Sequence, residues 1–136
     1  MKYILDAGPL IASINRQDEH HHWAVQTLER LGPPFYSCAE VMAEAAALTG
    51  RPAAVVDMVA AGEIVLSFDL GEQAAGVLLL LNKYAHHRMD LADACIVRMT
   101  ELIRDCRVIT VDRRDFSLYR RNGRDLIPLI APPAKS

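Results

Sequence analysis

The chain contains little of several features that would point to a function class. Its three cysteines lack disulfide or zinc-finger spacing, and such thiols are typical of a reducing, cytoplasmic setting. A net charge of −2 excludes binding to a polyanion by overall charge alone. The uncharged run at 73–82 is far shorter than the ~20 residues of a membrane span. The start of the chain reaches Asp6 too early for a secretory signal, so we expect no membrane partner.

Motifs of other chemistries are also absent. The chain has no Gly-x-Ser-x-Gly elbow, no Walker loop, no dinucleotide-binding glycine loop and no His-Glu-x-x-His pair. Its 136 residues, 51% of them hydrophobic, suit one domain with one core. We assign that domain to residues 1–131 and expect a frayed tail at 132–136.

Short apolar runs alternate with helical patterns throughout the chain. We predict strands at 3–5, 35–36, 64–66 and 107–111, with a short last strand within 126–130. The Gly8-Pro9 pair should delay the first helix until Leu10. This alternation is typical of an α/β fold whose parallel sheet, here of four to five strands, has right-handed crossovers.

Acidic residues follow two of these strands. Asp6 comes directly after the first strand, and Asp112 ends the fourth. If the two strands are neighbours, both aspartates lie at the sheet edge where open α/β folds bind ligands. Glu44 shares the apolar side of an alanine-rich helix with Val41, Ala47 and Leu48, where an unpaired carboxylate costs several kcal/mol.

Nearby acids have structural explanations. The spacing Ser37-x-x-Glu40 predicts a capping box, which accounts for Glu40. Asp90 suits the N-cap of a late helix, and Asp93 suits its first turn. Whether Glu40, Asp90 or Asp115 belongs to the site stays open at this point.

Four carboxylates in one pocket would repel one another strongly. We predict that Asp6, Glu44, Asp93 and Asp112 form such a pocket and hold one or two hard divalent cations. Mg²⁺ and Mn²⁺ prefer oxygen ligands and keep several waters. Such a site suits phosphodiester hydrolysis, in which the metal lowers the pKa of an attacking water.

Two polar clusters allow more than one interpretation. Arginines crowd the segment after Asp112, at Arg113, Arg114, Arg120, Arg121 and Arg124. They predict either a rim that grips RNA phosphates, with Tyr119 stacking on a base, or a solvated loop paired with Asp115 and Asp125. The run His20-His21-His22 looks like a metal tract, but consecutive helical residues point about 100° apart, so we favour a structural role.

These pieces together resemble the PIN-domain ribonucleases and, in size and motif order, the VapC-type toxins of toxin–antitoxin pairs. The matching segments are Leu5-Asp6-Ala7-Gly8-Pro9-Leu10, Ala43-Glu44-Ala45, Leu91-Ala92-Asp93-Ala94 and Val108-Ile109-Thr110-Val111-Asp112, with Asp115-Phe116 after the last. Ala7 stands where many relatives carry serine or threonine. The resemblance implies a three-layer α/β/α fold, cleavage of RNA that depends on Mg²⁺ or Mn²⁺, and metal binding by the four acids. It also implies a homodimer and silencing by a small antitoxin.

We therefore predict a cytoplasmic, metal-dependent endoribonuclease, the toxin of a type II toxin–antitoxin pair. One alternative is a catalytically silent PIN-like protein that binds RNA or an antitoxin. Another is a phosphotransfer receiver-like module, which would need paired early acids and a lysine after a late strand. Arg113 follows Asp112 instead, so we rank this alternative last.

Overall fold

The structure, a computed structural model, describes residues 1–134. Within that range the strands are β1 Lys2–Leu5, β2 Phe35–Ser37, β3 Ile64–Leu66, β4 Cys106–Ile109, β5 Arg120–Arg121, β6 Asp125–Leu126 and β7 Leu129–Ile130. The helices are α1 Ala7–Ile14, α2 His21–Leu31, α3 Ala39–Thr49, α4 Pro52–Ala60, α5 Leu70–Lys83, α6 Leu91–Leu102 and α7 Arg113–Leu118, with a 3₁₀ helix at Ala85–His87.

Five of the strands form one parallel sheet in the order β3-β2-β1-β4-β7. The first strand is central, and it pairs with β4 so that Leu5 lies opposite Ile109. Parallel neighbours need crossover connections, which the helices supply on the faces of the sheet. The predicted three-layer α/β/α class with a parallel sheet is confirmed. The first and fourth strands, whose adjacency the sequence left open, pair directly.

The core lies along these two central strands. Ile4, Leu5, Val108 and Ile109 are fully buried. A parallel strand covered on both faces reads as a continuous apolar run, which is how these strands were recognisable in the sequence. The third strand, Ile64–Leu66, was predicted to the residue.

The first helix begins earlier than predicted. Asp6 is its N-cap and α1 runs from Ala7, so Gly8 and Pro9 lie inside its first turn. A proline is tolerated there because the first N–H groups of a helix have no intrahelical partner. Gly8 lies so close to the Cγ2 atom of Val111 that an added Cβ would clash. The prediction that the Gly-Pro pair breaks the chain was wrong.

The capping box predicted for α3 was also wrong. Ser37 is the last residue of β2, and its hydroxyl donates to the carbonyl oxygen of Leu5 at 2.8 Å. The N-cap is Cys38, which makes no side-chain cap. Glu40 therefore loses the structural explanation that the spacing suggested.

The last quarter of the chain contains more structure than predicted. The fourth strand ends at Ile109, and Asp112 caps α7, a helix that the sequence interpretation treated as a basic segment. The predicted last strand lies at Leu129–Ile130, after a β5–β6 hairpin that was missed. Asn122 and Gly123 both have positive φ in its turn, so the Asn-Gly pair was the overlooked signal.

Two further points concern the ends and the surface of the chain. The frayed tail expected at 132–136 falls partly outside the described residues, since 135 and 136 are not among them. Across residues 1–134, every helix is too short or too polar to cross a bilayer.

Candidate active site

Asp6 lies at the carboxyl edge of the sheet, between the ends of β1 and β4. Its side chain is 6% exposed. The Oδ2 atom accepts a hydrogen bond from the Thr110 hydroxyl at 2.7 Å, and the Asp6 N–H donates to the Ile109 carbonyl at 3.0 Å. Burial raises the pKa of Asp6 to about 6, against the lowering effect of hydrogen bonds with Thr110 and Ala7. An acid so situated is held near its titration point at neutral pH.

Thr110 links Asp6 to Asp112. The Thr110 hydroxyl donates to Asp6 and accepts from the Asp112 N–H at 3.0 Å. Asp112 is the N-cap of α7, and its Oδ1 atom accepts a hydrogen bond from the Asp115 N–H at 2.9 Å. Sequence reasoning missed Thr110 as a positioning residue. The signal was its place two residues before an acid, at the end of a buried strand.

Asp93 enters the same pocket from the first turn of α6. Its Oδ2 accepts a hydrogen bond from the Tyr119 hydroxyl at 3.0 Å. Burial, followed by the charges of Asp90 and Asp6, raises the pKa of Asp93 to about 8. An isolated aspartate would be fully ionised at pH 7, so the pocket strongly disfavours another negative charge.

Tyr119 is buried and cannot stack on a base, contrary to the sequence prediction. Only 1% of its surface is exposed. Its ring packs edge-on against Tyr84 and Phe116, with centroids 5.1 and 5.4 Å away. These aromatic contacts fix the direction of its hydroxyl, so the residue positions Asp93 instead.

Glu44 reaches the pocket from α3. Burial and the charge of Asp90 raise the pKa of Glu44, and the charge of Glu44 in turn raises the pKa of Asp6. Of the residues predicted to share its apolar face, Val41 is buried as expected, whereas Ala47 and Leu48 are exposed. Glu44 itself is half-buried.

The structure thus links all four predicted acids electrostatically through Asp6, since Glu44 and Asp112 raise the pKa of Asp6 and the charge of Asp6 raises the pKa of Asp93. Among residues 1–134, no basic side chain forms an ion pair with any of them. The pocket is nevertheless wide. Within residues 1–134, only one set of three potential metal ligands has its ligand atoms within 4.8 Å of one another. That set is Cys38, Glu40 and Cys95, and it lies outside the acidic pocket.

Three acids whose role the sequence left open are now placed. Asp90 caps α6 by accepting from the Asp93 N–H at 2.8 Å, and its charge raises the pKa of Asp93 and Glu44, so it lies at the rim. Asp115 lies beside Asp112, since burial and then Asp112 raise its pKa. Glu40 lies with the two cysteines instead.

The donor set fits a hard divalent cation. It consists of carboxylates, and no described lysine or arginine neutralises them. A wide group of oxygen ligands suits Mg²⁺ or Mn²⁺, which keep part of their water shell. A thiol-binding metal would find no soft ligand among these four acids.

The arginines divide into two groups. Arg120 donates to the carbonyls of Ser117 and Leu118 at the end of α7, and Arg121 donates to carbonyls of Thr100 and Arg104 at the end of α6. Helix ends attract cations, so these contacts explain both residues without RNA.

Arg113 and Arg114 are exposed and remain candidates for phosphate contacts. Arg114 lines a cavity of about 540 Å³ together with Asp112, Asp115 and His87. This cavity opens directly beside the acidic pocket, where a polyanion would need a cationic neighbour.

The histidine run has structural contacts. The Nδ1 atom of His21 lies 2.7 Å from the Ala12 carbonyl, and the Nε2 atom of His20 lies 3.4 Å from Glu19. His22 is exposed. Two of the three imidazoles therefore have partners within the protein. In the described part of the chain, residues 1–134, the three rings do not bring nitrogens within 4.8 Å of one another, which supports the structural interpretation over a metal tract.

Comparison with protein-family models gave no match for this chain. Comparison with curated proteins gave no match either. The fold and the chemistry of the acidic pocket are therefore what supports a function.

Proposed function

We propose that this chain is a metal-dependent endoribonuclease of the PIN-domain kind, and the toxin of a type II toxin–antitoxin pair. The observation that carries the proposal is the acidic pocket at the carboxyl edge of a parallel sheet. Asp6 is almost completely buried there without a basic partner, the charges of Glu44 and Asp112 act on it, and its own charge acts on Asp93.

A pocket of this kind is poorly stable without a cation. Burial and mutual repulsion raise the pKa of Asp6 and Asp93, which means that the ionised forms are disfavoured. Carboxylates whose pKa values are strongly raised by burial and neighbouring charges are found mainly at functional sites. A divalent cation would convert the repulsion into attraction, and it would displace the proton that Asp93 carries at neutral pH.

The residues of the chain would act mainly by orientation. Thr110 directs Asp6 and the backbone of Asp112, and Tyr119 directs Asp93, so three acids keep their directions while the substrate binds. When bound, Mg²⁺ or Mn²⁺ would lower the pKa of a water and neutralise charge on the phosphate. Attack by water at phosphorus breaks the bond to the 3′ oxygen and leaves a 5′-phosphate and a 3′-hydroxyl.

Substrate contacts would lie on the exposed side of α7. Arg114 and Arg113 could neutralise flanking phosphates next to Asp112, which gives affinity without reading sequence. The antitoxin and a second copy of the chain are the further partners that we propose from the resemblance described above. Mass measurement in solution, with and without a co-expressed small antitoxin, tests both.

A catalytically silent PIN-like protein is the second candidate. The width of the pocket favours it, since no three of the four carboxylates bring oxygens within 4.8 Å of one another. Such a protein would bind RNA or an antitoxin through the same rim without cutting RNA.

The deciding experiment is cleavage of a mixed RNA substrate by purified protein with Mg²⁺, with Mn²⁺ and with chelator. Asp6→Asn keeps the shape of the side chain and removes its charge, so cleavage should disappear. Asp57→Asn, which changes an exposed acid on α4, is the matched control and should retain activity.

Each outcome separates the two candidates. Metal-dependent cleavage that only Asp6→Asn abolishes, with 5′-phosphate ends, supports the nuclease. Products with 2′,3′-cyclic phosphate would exclude it, because they arise from attack by the RNA 2′-hydroxyl. Folded protein that binds RNA or an antitoxin but does not cut would favour the silent protein.

A further inference from the structure

A second cluster of ligand-type side chains lies where α3 packs against α6, apart from the acidic pocket. Cys38 is the N-cap of α3, Glu40 is in its first turn, and Cys95 is on α6. The two Sγ atoms and a carboxylate oxygen of Glu40 all lie within 4.8 Å of one another. Both cysteines are fully buried.

An independent observation marks the same cluster. Among residues 1–134, the Oε1 atom of Glu40 is the one buried side-chain nitrogen or oxygen that has no hydrogen-bond partner. Buried polar atoms are almost always satisfied, so an exception needs an explanation. The capping role that the sequence suggested for Glu40 does not supply it, because Ser37 bonds elsewhere.

We propose that Cys38, Glu40 and Cys95 bind a soft or borderline divalent cation, of which Zn²⁺ is the representative. Two thiolates and one carboxylate form a donor set that zinc prefers and that Mg²⁺ does not. Tetrahedral zinc holds such atoms ~3.5–3.8 Å apart, given its ligand distances of ~2.0–2.3 Å. The three side chains would therefore need to close by no more than ~1 Å around the ion, and a water would take the fourth position.

The position of the cluster gives the ion a structural role. Cys38 and Glu40 begin the helix that carries Glu44, and Cys95 follows Asp93 by two residues on α6. An ion held by both helices would fix the separation of the two acids that they supply. The site does not depend on RNA cleavage, so it can be present whether or not the acidic pocket is catalytic.

The test is cobalt titration of the whole chain, stripped of metal and kept reduced. Excess Mg²⁺ occupies the acidic pocket and leaves the thiol cluster as the site for a softer ion. One equivalent of Co²⁺ should produce a thiolate-to-cobalt charge-transfer band in the near ultraviolet, and Zn²⁺ should remove it. Oxygen ligands alone do not give this band.

Variants then locate the binding. Cys38→Ser and Cys95→Ser should each lose the band, while Cys106→Ser should keep it. Cys106 is the matched control because it is the remaining cysteine, buried on β4 beside Arg121. Glu40→Gln should weaken cobalt affinity by at least about tenfold, since even outer-shell changes have effects of that size.

Several results would overturn the proposal. One is folded, reduced wild-type protein that gives no charge-transfer band; another is a band that survives in both Cys38→Ser and Cys95→Ser. If these serine variants do not fold, Glu40→Gln decides, and unchanged affinity in that variant counts against the site. RNA cleavage takes no part in the readout, so a failure here leaves the nuclease proposal as it was.

Discussion

Replacing Asp6 by asparagine should make the metal-free protein more stable while removing its proposed activity. Burial raises the pKa of Asp6 from 3.8 to about 6. At ~1.4 kcal/mol per pKa unit, ionised Asp6 opposes folding by about 3 kcal/mol. Asparagine removes this charge and can still accept the bond from Thr110.

The amide has its own unfavourable effect, because its N–H₂ group is then buried. That effect is about 1–2 kcal/mol when the group finds no full set of partners. A net gain of ~1–2 kcal/mol remains at pH 7.5. For a chain of this length this corresponds to roughly 3–8 °C in Tm.

The pH dependence of this gain follows from the direction of the pKa shift. The pKa of Asp6 is higher in the folded state than in the unfolded state, so the folded state binds more protons between the two values. The unfavourable contribution of Asp6 is absent below pH ~4, grows as the pH rises towards about 6, and is complete above that. Between pH 7.5 and pH 4 the difference in stability should therefore shift by about 3 kcal/mol against asparagine, which turns the gain into a loss of ~1–2 kcal/mol.

Urea unfolding in chelator at pH 4, 6 and 7.5 measures these quantities, with Asp57→Asn as the control that should change little. Saturating Mg²⁺ should reverse the order, because it stabilises the wild type by mass action and finds a weaker site in Asp6→Asn. An asparagine variant that is no more stable than the wild type at pH 7.5, or equally more stable at every pH, would refute the reasoning.

Three other predictions test neighbouring parts of the molecule. Tyr119→Phe should weaken Mn²⁺ binding by about 10–100-fold and leave the fold intact, because it removes a bond to a charged group worth ~1.5–3 kcal/mol; unchanged binding in a manganese titration would contradict the positioning role. Gly8→Ala should lower the free energy of unfolding by about 1–3 kcal/mol, since its Cβ meets Val111; a stable variant in urea would show that the contact relaxes. Arg121→Gln should lower Tm without changing RNA affinity, because Arg121 holds backbone carbonyls. Arg114→Gln should weaken RNA binding and flatten its salt dependence. The reverse pattern would show that Arg121, and not Arg114, contacts RNA phosphates.

Local signals predicted the strands and one helix cap well. The strand at Ile64–Leu66 and the cap at Asp90 follow from short stretches of sequence, and the structure has them. The cap depends on a hydrogen bond between near neighbours, and the strand on a run of residue types that favour extended structure. The adjacency of the first and fourth strands was left open by the sequence, because it depends on the order of the whole sheet.

The missed hairpin had a local signal in Asn122-Gly123, but other errors occurred where a distant residue decides the outcome. Ser37 has the spacing of a cap, yet its hydroxyl bonds to Leu5 in the neighbouring strand, 32 positions earlier. Tyr119 looks like an exposed aromatic in a basic loop, but Phe116 and Tyr84 bury it. No local pattern contains this information, because the partners meet only after the sheet has formed.

The same limit applies to the pocket. Asp6 and Asp112 were predictable as strand-end acids, and Glu44 and Asp93 as motif positions. Thr110, which aligns two of them, carries no charge and belongs to an apolar strand pattern. The orphaned oxygen of Glu40 could not be predicted either, since its capping spacing gave it an apparent partner.

The central pairing of β1 with β4 also has a consequence for synthesis of the chain. Asp6 is made before the Thr110 hydroxyl that orients it, because Thr110 comes 104 positions later in the chain. During translation the first strand waits without its main neighbour, and the pocket cannot assemble until residue 112 has left the ribosome. A nuclease built in this order would be harmless to the message and the ribosome that produce it until the fourth strand and Asp112 have been made.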